Sequence, residues 1–147
     1  MERDELIDRI RNVLGTTPLS VEVSFAVLFG SHARGSAGPL SDVDVGLYCD
    51  TPPDLLELGA LVGRLEDEAG SRIDIVELYD LWDRDPAFAH RIASEMQLIT
   101  CASPTALTTY RKRTVLTYLD TAYLRSLSHR ALQRRIRAGK LGYRNYV

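Results

Sequence analysis

The chain has 147 residues, 45% of them apolar and 26% charged, which suits one compact globular domain with room for a C-terminal extension. No apolar run approaches the ~20 residues that a membrane helix needs, and the N-terminus MERDELIDRIRNVLG is too charged for a secretory leader. The net charge of −2 hides a split: residues 1–109 hold 8 Lys+Arg against 19 Asp+Glu, whereas residues 110–147 hold 10 against 1. A basic segment of this kind meets nucleic acid, a nucleotide, a partner protein or the acidic body of the same chain, unless it is only a solvated, Arg-rich helix face.

The elements follow in order. Leu6, Ile7, Ile10, Val13 and Leu14 recur at helical spacing and predict a helix over residues 2–14, stopped at Gly15. VEVSFAVLF, residues 21–29, is a β-branched and aromatic run suited to a buried strand. SHARGSAGPLS, 31–41, reads as loop or short helix, and DVDVGLYC, 42–49, as an alternating strand. Pro52 and Pro53 open a helix over 53–69 with Leu55, Leu56, Leu58, Leu61, Val62 and Leu65 turned inward, ended by Gly70. RIDIVEL, 72–78, is a third strand. Asp85-Pro86 caps a helix to about Glu95, and QLITC, 97–101, is a short edge strand. From Ser103-Pro104 a helical region runs to about Ala138, with a break near LDTAY and apolar positions at Leu107, Val115, Leu119, Leu127 and Ile136. The last residues, KLGYRNYV, are expected to be mobile. Cys49 and Cys101 form no C-x-x-C and are expected to be buried, reduced thiols of a cytoplasmic protein. Strands alternating with helices give an α/β (α+β) domain over 1–101, with a small sheet flanked by helices, and a basic helical arm over 102–147.

Three features carry chemistry. Asp42 and Asp44 stand two residues apart on a strand and project from the same face. Two ionised carboxylates so placed raise each other's pKa unless a cation lies between them. Mg²⁺ takes oxygen ligands and is commonly held by one or two carboxylates and substrate phosphates. Two solvated aspartates on an exposed strand are the plain alternative. Gly30-Ser31 directly follows a strand, where glycine lets backbone N–H groups approach an anion and the serine adds a hydroxyl. No Gly-Lys-Ser/Thr is present, so this is not a Walker A loop. Asp74, on the third strand, can join the same face and bind metal or accept a proton, an ion pair with Arg72 being the alternative. A phosphate-binding turn, a carboxylate pair and a third carboxylate are together the parts of phosphoryl or nucleotidyl transfer.

Gly30-Ser31, ten residues, then Asp42-Val43-Asp44 resembles the G-S-x10-D-x-D signature of the DNA polymerase β-like nucleotidyltransferases. FGSHARGSAGPLSDVDVGLY is similar to the minimal-nucleotidyltransferase branch, which includes the MntA-type antitoxins, and RIDIVEL to the strand bearing that family's third carboxylate. The resemblance implies that Gly30 and Ser31 hold the nucleotide's terminal phosphates and that Arg34, in the A-R-G element, touches phosphate. It implies that Asp42 and Asp44 bind Mg²⁺, that Asp74 is the catalytic carboxylate sharing that metal site, and that ATP is the nucleotide donor. His32 departs from the arginine common at its position; like His90 and His129 it is given no catalytic role.

The resemblance implies that relatives modifying antibiotics or tRNA ends carry extra domains for those acceptors, whereas only about 45 residues lie beyond the expected core here. A separate protein acceptor suits such a chain. The resemblance implies that this is a HEPN ribonuclease toxin, silenced by adenylylation of a tyrosine, with the basic arm as a docking surface. The alternatives are a small-molecule nucleotidyltransferase similar to the aminoglycoside enzymes, and a non-catalytic antitoxin or RNA binder. Tyr110, Tyr118 and Tyr123 are spaced as much for helix packing as for base stacking.

Overall fold

The computed structural model describes residues 1–139, so the expectation of a mobile KLGYRNYV tail lies outside the described residues. The chain runs α1 (Arg3–Thr16), β1 (Phe25–Phe29), α2 (Gly30–Arg34), β2 (Val43–Tyr48), α3 (Leu55–Ala69), β3 (Ile73–Glu77), α4 (Leu81–Arg84), α5 (Pro86–Glu95), β4 (Gln97–Cys101), α6 (Pro104–Asp120) and α7 (Ala122–Arg137). The four strands form one mixed sheet in the order β3-β2-β1-β4. β1 pairs antiparallel with β2 and β4, and β2 pairs parallel with β3.

β1 is buried along its whole length because both faces of the sheet are covered, which is why its sequence is a continuous apolar run. Ala26 and Leu28 point into a core shared with Leu6, Ile10 and Val13 of α1 and Leu61 and Leu65 of α3. Phe25, Val27 and Phe29 point the other way, against Leu81 and Trp82 of α4, Ala89 and Ile92 of α5, and Tyr110 of α6. Tyr110 lies against Phe25, Tyr48 and Trp82, and its hydroxyl donates to the Ala89 carbonyl at 3.0 Å. Burial pushes its phenol pKa up. Tyr110→Phe is expected to lower unfolding free energy by about 1 kcal/mol, read by urea denaturation, since one buried hydrogen bond is lost at almost constant volume.

Several boundaries differ from expectation. α1 passes through Gly15, because its closing hydrogen bond runs from the Thr17 N–H to Val13 O. Residues 21–24 are not strand; Val21 and Val23 pack on the core from an irregular approach to β1. α3 begins after Asp54, whose carboxylate accepts from the Leu56 N–H, rather than at Pro53. Leu55 and Leu56 are 82% and 86% exposed, contrary to the inward reading, because α3 meets the core only from Leu58 onward. The one-turn α4 was not foreseen. Asp85 caps α5 through the Phe88 N–H, with Pro86 at the first turn, as its sequence predicts, and Gly70 closes α3 in the left-handed conformation.

The C-terminal helical region breaks at Thr121. α6 buries Tyr110 and Thr114, but α7 buries nothing, and of the apolar positions read in this region Val115, Leu119, Leu127 and Ile136 are exposed. Tyr118 stacks on His90 at 3.8 Å and carries the Arg125 guanidinium at 3.6 Å from its ring centre, while Tyr123 is exposed. Cys49 is buried and Cys101 half-buried; both are free thiols. Burial pushes Cys49 up to about 11, which keeps it protonated and inert. Among the described residues no helix is long and apolar enough to cross a membrane.

Candidate active site

Alternation along the strands sets the site. Val43, Val45 and Leu47 of β2 and Ile73 and Ile75 of β3 enter the α1/α3 core, so Asp44 and Asp74 must project from the opposite face, toward α5. The parallel register places Asp44 directly beside Asp74. Asp44 also sits opposite Phe29, the last residue of β1, so the chain leaving β1 at Gly30 turns next to its carboxylate. Asp42 immediately precedes β2 and is half-buried.

Gly30 adopts φ +74°, a left-handed conformation, and a Cβ there would collide with Asp44 Oδ2 and lie 3.1 Å from its Cγ. Glycine is thus required twice, for the backbone angle and for the space that the carboxylate fills. Ser31 follows in the first turn of α2, and Arg34 ends that helix before a left-handed Gly35.

Gly30, Ser31, Arg34, Asp44 and Asp74 line one open cleft of about 550 Å³ with Phe29, Ile75, Val76, Phe88 and Arg91. Asp42 stands outside that lining. It is near enough that its charge, like that of Asp74, acts on Asp44: burial first, then Asp74, then Asp42 push the Asp44 pKa above the ordinary carboxylate value, while His32 and Arg91 oppose them. Among the described residues Asp74 forms no ion pair, so the pairing with Arg72 is not found. His32 Nε2 lies 3.3 Å from Ser41 O, a loop contact, and His129 meets Gln133 at 3.0 Å.

Glu95 and Arg91 belong to this site and were not singled out in the sequence. Glu95 Oε1 accepts from the Gly30 N–H at 3.0 Å, and Glu95 Oε2 pairs with Arg34 Nη1 at 2.8 Å. The Arg91 guanidinium lies over the Phe88 ring, 5.0 Å from its centre. Phe88, Arg91 and Glu95 recur at i, i+3 and i+7, so one face of α5 presents all three, and that spacing is the signal that could have found them.

The donor set fits a hard divalent cation. Like charges crowd Asp44, and its carboxylate fills a cradle that only glycine leaves open. Among the described residues no three His, Cys, Asp or Glu side chains form a metal cage. An ion here would complete its shell with phosphate or water oxygens, the habit of Mg²⁺ at nucleotide sites. The cleft thus pairs carboxylates with two guanidinium groups and a Gly-Ser turn, an arrangement able to hold a metal-bound polyphosphate and accept a proton.

Comparison with known proteins agrees in fold. A chain of a toxin–antitoxin crystal structure with AMP-PNP superposes with a TM-score of 0.70 at 16% identity, covering 85% of this chain and 97% of that one. A chain from the structure of a tri-AMPylated Shewanella oneidensis HEPN toxin in complex with MNT antitoxin gives 0.67 at 14% identity, covering 88% and 98%. A chain of the MntA–HepT toxin–antitoxin gives 0.63 at 15%, covering 86% and 96%. No curated protein sequence matches. The sequence profile described as "Polymerase beta, Nucleotidyltransferase" matches residues 9–105, which span every strand and the whole cleft, and the chain belongs to that family.

Proposed function

We propose that this chain is a protein adenylyltransferase antitoxin, which transfers AMP from ATP to a tyrosine of a HEPN ribonuclease toxin in the cytoplasm. The observation that carries the transferase reading is the placement of Asp44 beside Asp74 on adjoining strands, against the Gly30-Ser31 turn. The protein acceptor is supported by the fold shared with chains of toxin–antitoxin structures, one of which holds a tri-AMPylated toxin. The exposed apolar and basic side chains of α7 support it too, as a surface for a partner. The domain reading keeps residues 1–101 as the catalytic unit and 102–147 as the arm that extends it.

In this reading Ser31 gives its hydroxyl and its own backbone N–H to the terminal phosphates, Gly30 shaping the turn that presents them, with Arg34 and Arg91 neutralising further charge. Asp42 and Asp44, with Asp74 beside them, would hold Mg²⁺. When bound, that ion neutralises phosphate oxygens and lowers the charge barrier to attack. Asp74 accepts the proton of the tyrosine hydroxyl as its oxygen bonds to the α-phosphorus. The bond from that phosphorus to the bridging oxygen breaks, and pyrophosphate leaves with the electron pair.

The test is the intact mass of the neighbouring-gene protein after incubation with this chain, ATP and Mg²⁺. One or more AMP-sized gains, mapped to tyrosine, support the reading. A stable complex without any gain supports a non-catalytic binder, and neither gain nor complex points to a small hydroxylated acceptor.

A further inference from the structure

Glu95 is an acidic side chain at the lip of a cleft read above as a polyphosphate site, where its charge would repel the ligand. It is nonetheless well packed: its side chain is 13% exposed, against 49% for Arg34. Its two oxygens are divided between two partners, the Gly30 N–H at 3.0 Å and Arg34 Nη1 at 2.8 Å. Those partners begin and end α2 and both line the cleft. α2 has only five residues, too few to hold its own shape by helical hydrogen bonds.

The Gly30 N–H that Glu95 takes is therefore not free for phosphate, while Ser31 is not engaged by Glu95. The second oxygen fixes one guanidinium nitrogen, and Arg34 Nη2 and Nε make no hydrogen bond among the described residues. A guanidinium held by one edge presents its other donors in a defined plane, which suits bidentate phosphate recognition.

We propose that Glu95 is a positioning residue for the nucleotide's triphosphate: it fixes the Gly30 turn and holds Arg34 at the cleft with its remaining donors facing the ligand. This rests on the reading of the cleft as a nucleotide site. The charge that would repel phosphate is spent on Arg34 and on a backbone amide, and the gain is a preorganised turn and cation.

The test is calorimetric binding of a non-hydrolysable ATP analogue with Mg²⁺, which needs no acceptor protein. Glu95→Ala and Arg34→Ala are each expected to weaken binding by about tenfold, the worth of one charge-assisted hydrogen bond. The double variant is expected to be about as weak as either single one rather than about a hundredfold down, because the two act as a unit. Glu95→Gln, which keeps an acceptor for the Gly30 N–H, is expected to recover part of the loss, with melting temperatures of all variants measured alongside. Additive losses, or losses that follow melting temperature alone, would overturn the positioning role. Tighter binding by Glu95→Ala would also overturn it and make Glu95 a blocking carboxylate. Binding by the wild type with no change in any Glu95 variant sinks this inference and spares the function. No binding by the wild type sinks both.

Discussion

Asp44→Asn is expected to cut AMP transfer by at least about 10²–10³-fold while making the metal-free protein slightly more stable. The two effects share one cause. Asp44 is partly buried, lies beside Asp74 on the neighbouring strand, and feels Asp42 as well. Its pKa is raised in the folded state, so its ionised form opposes folding. That penalty is present at neutral pH and fades as pH falls through the raised pKa. Asparagine keeps the shape and removes the charge. Melting should rise by about 2 °C at pH 7, as expected for relieving one like-charge pair across strands. The gap from wild type should close in acid, where Asp44 is itself protonated. Asp42→Asn should lose transfer similarly, measured with labelled ATP. Full transfer by both variants would remove the metal assignment.

The second large effect is expected at Gly30. In Gly30→Ala the new Cβ meets Asp44 Oδ2 head-on, with Asp44 Cγ at 3.1 Å. Asp44 has a short side chain and can escape only by rotating its carboxylate out of the cleft. The left-handed backbone at φ +74° adds a cost of about 1–2 kcal/mol for any L side chain. Transfer should therefore fall by about 10²-fold or more, as removal of an oriented polar group does, alongside a measurable loss of stability in denaturant. Combining Gly30→Ala with Asp44→Asn should cost little further activity, because the first change acts largely through the second residue. Gly35→Ala is the useful control: it has φ +77° but open space around its Cβ position. It should share the backbone penalty and keep far more of the transfer.

The strands were legible because they depend on local pattern, although Asp42, read on the same strand face as Asp44, precedes β2 and stands outside the cleft lining. β1, β2 and β3 are short apolar runs whose alternation fixes which side each residue takes, and Asp74 fell beside Asp44 once the strands were paired. The cap at Asp85-Pro86 was likewise local chemistry. The errors came where tertiary packing overrides pattern. Leu55 and Leu56 look like core but precede the part of α3 that packs on it, and the leucines of α7 match a helical stripe that none of the described residues covers. Glu95 was missed for a different reason. Its partner Gly30 is 65 positions away, and nothing near SEM in the sequence marks it as a ligand of a turn. The spacing it shares with Phe88 and Arg91 on one face of α5 is the sequence's signal, and it gains meaning only once α5 is docked beside Gly30 and Arg34.

The central claim, that the cleft between the Gly30-Ser31 turn and the paired aspartates is where nucleotide reacts, is tested most directly by a crystal structure with Mg²⁺ and a non-hydrolysable ATP analogue. The expected result is a triphosphate against Ser31 and Arg34, with an ion touching Asp42 and Asp44 and the α-phosphate facing Asp74. The contradicting result is a nucleotide seated elsewhere, for instance in the hollow of about 220 Å³ lined by Cys49, Glu77, Tyr79 and Arg84, with these aspartates untouched.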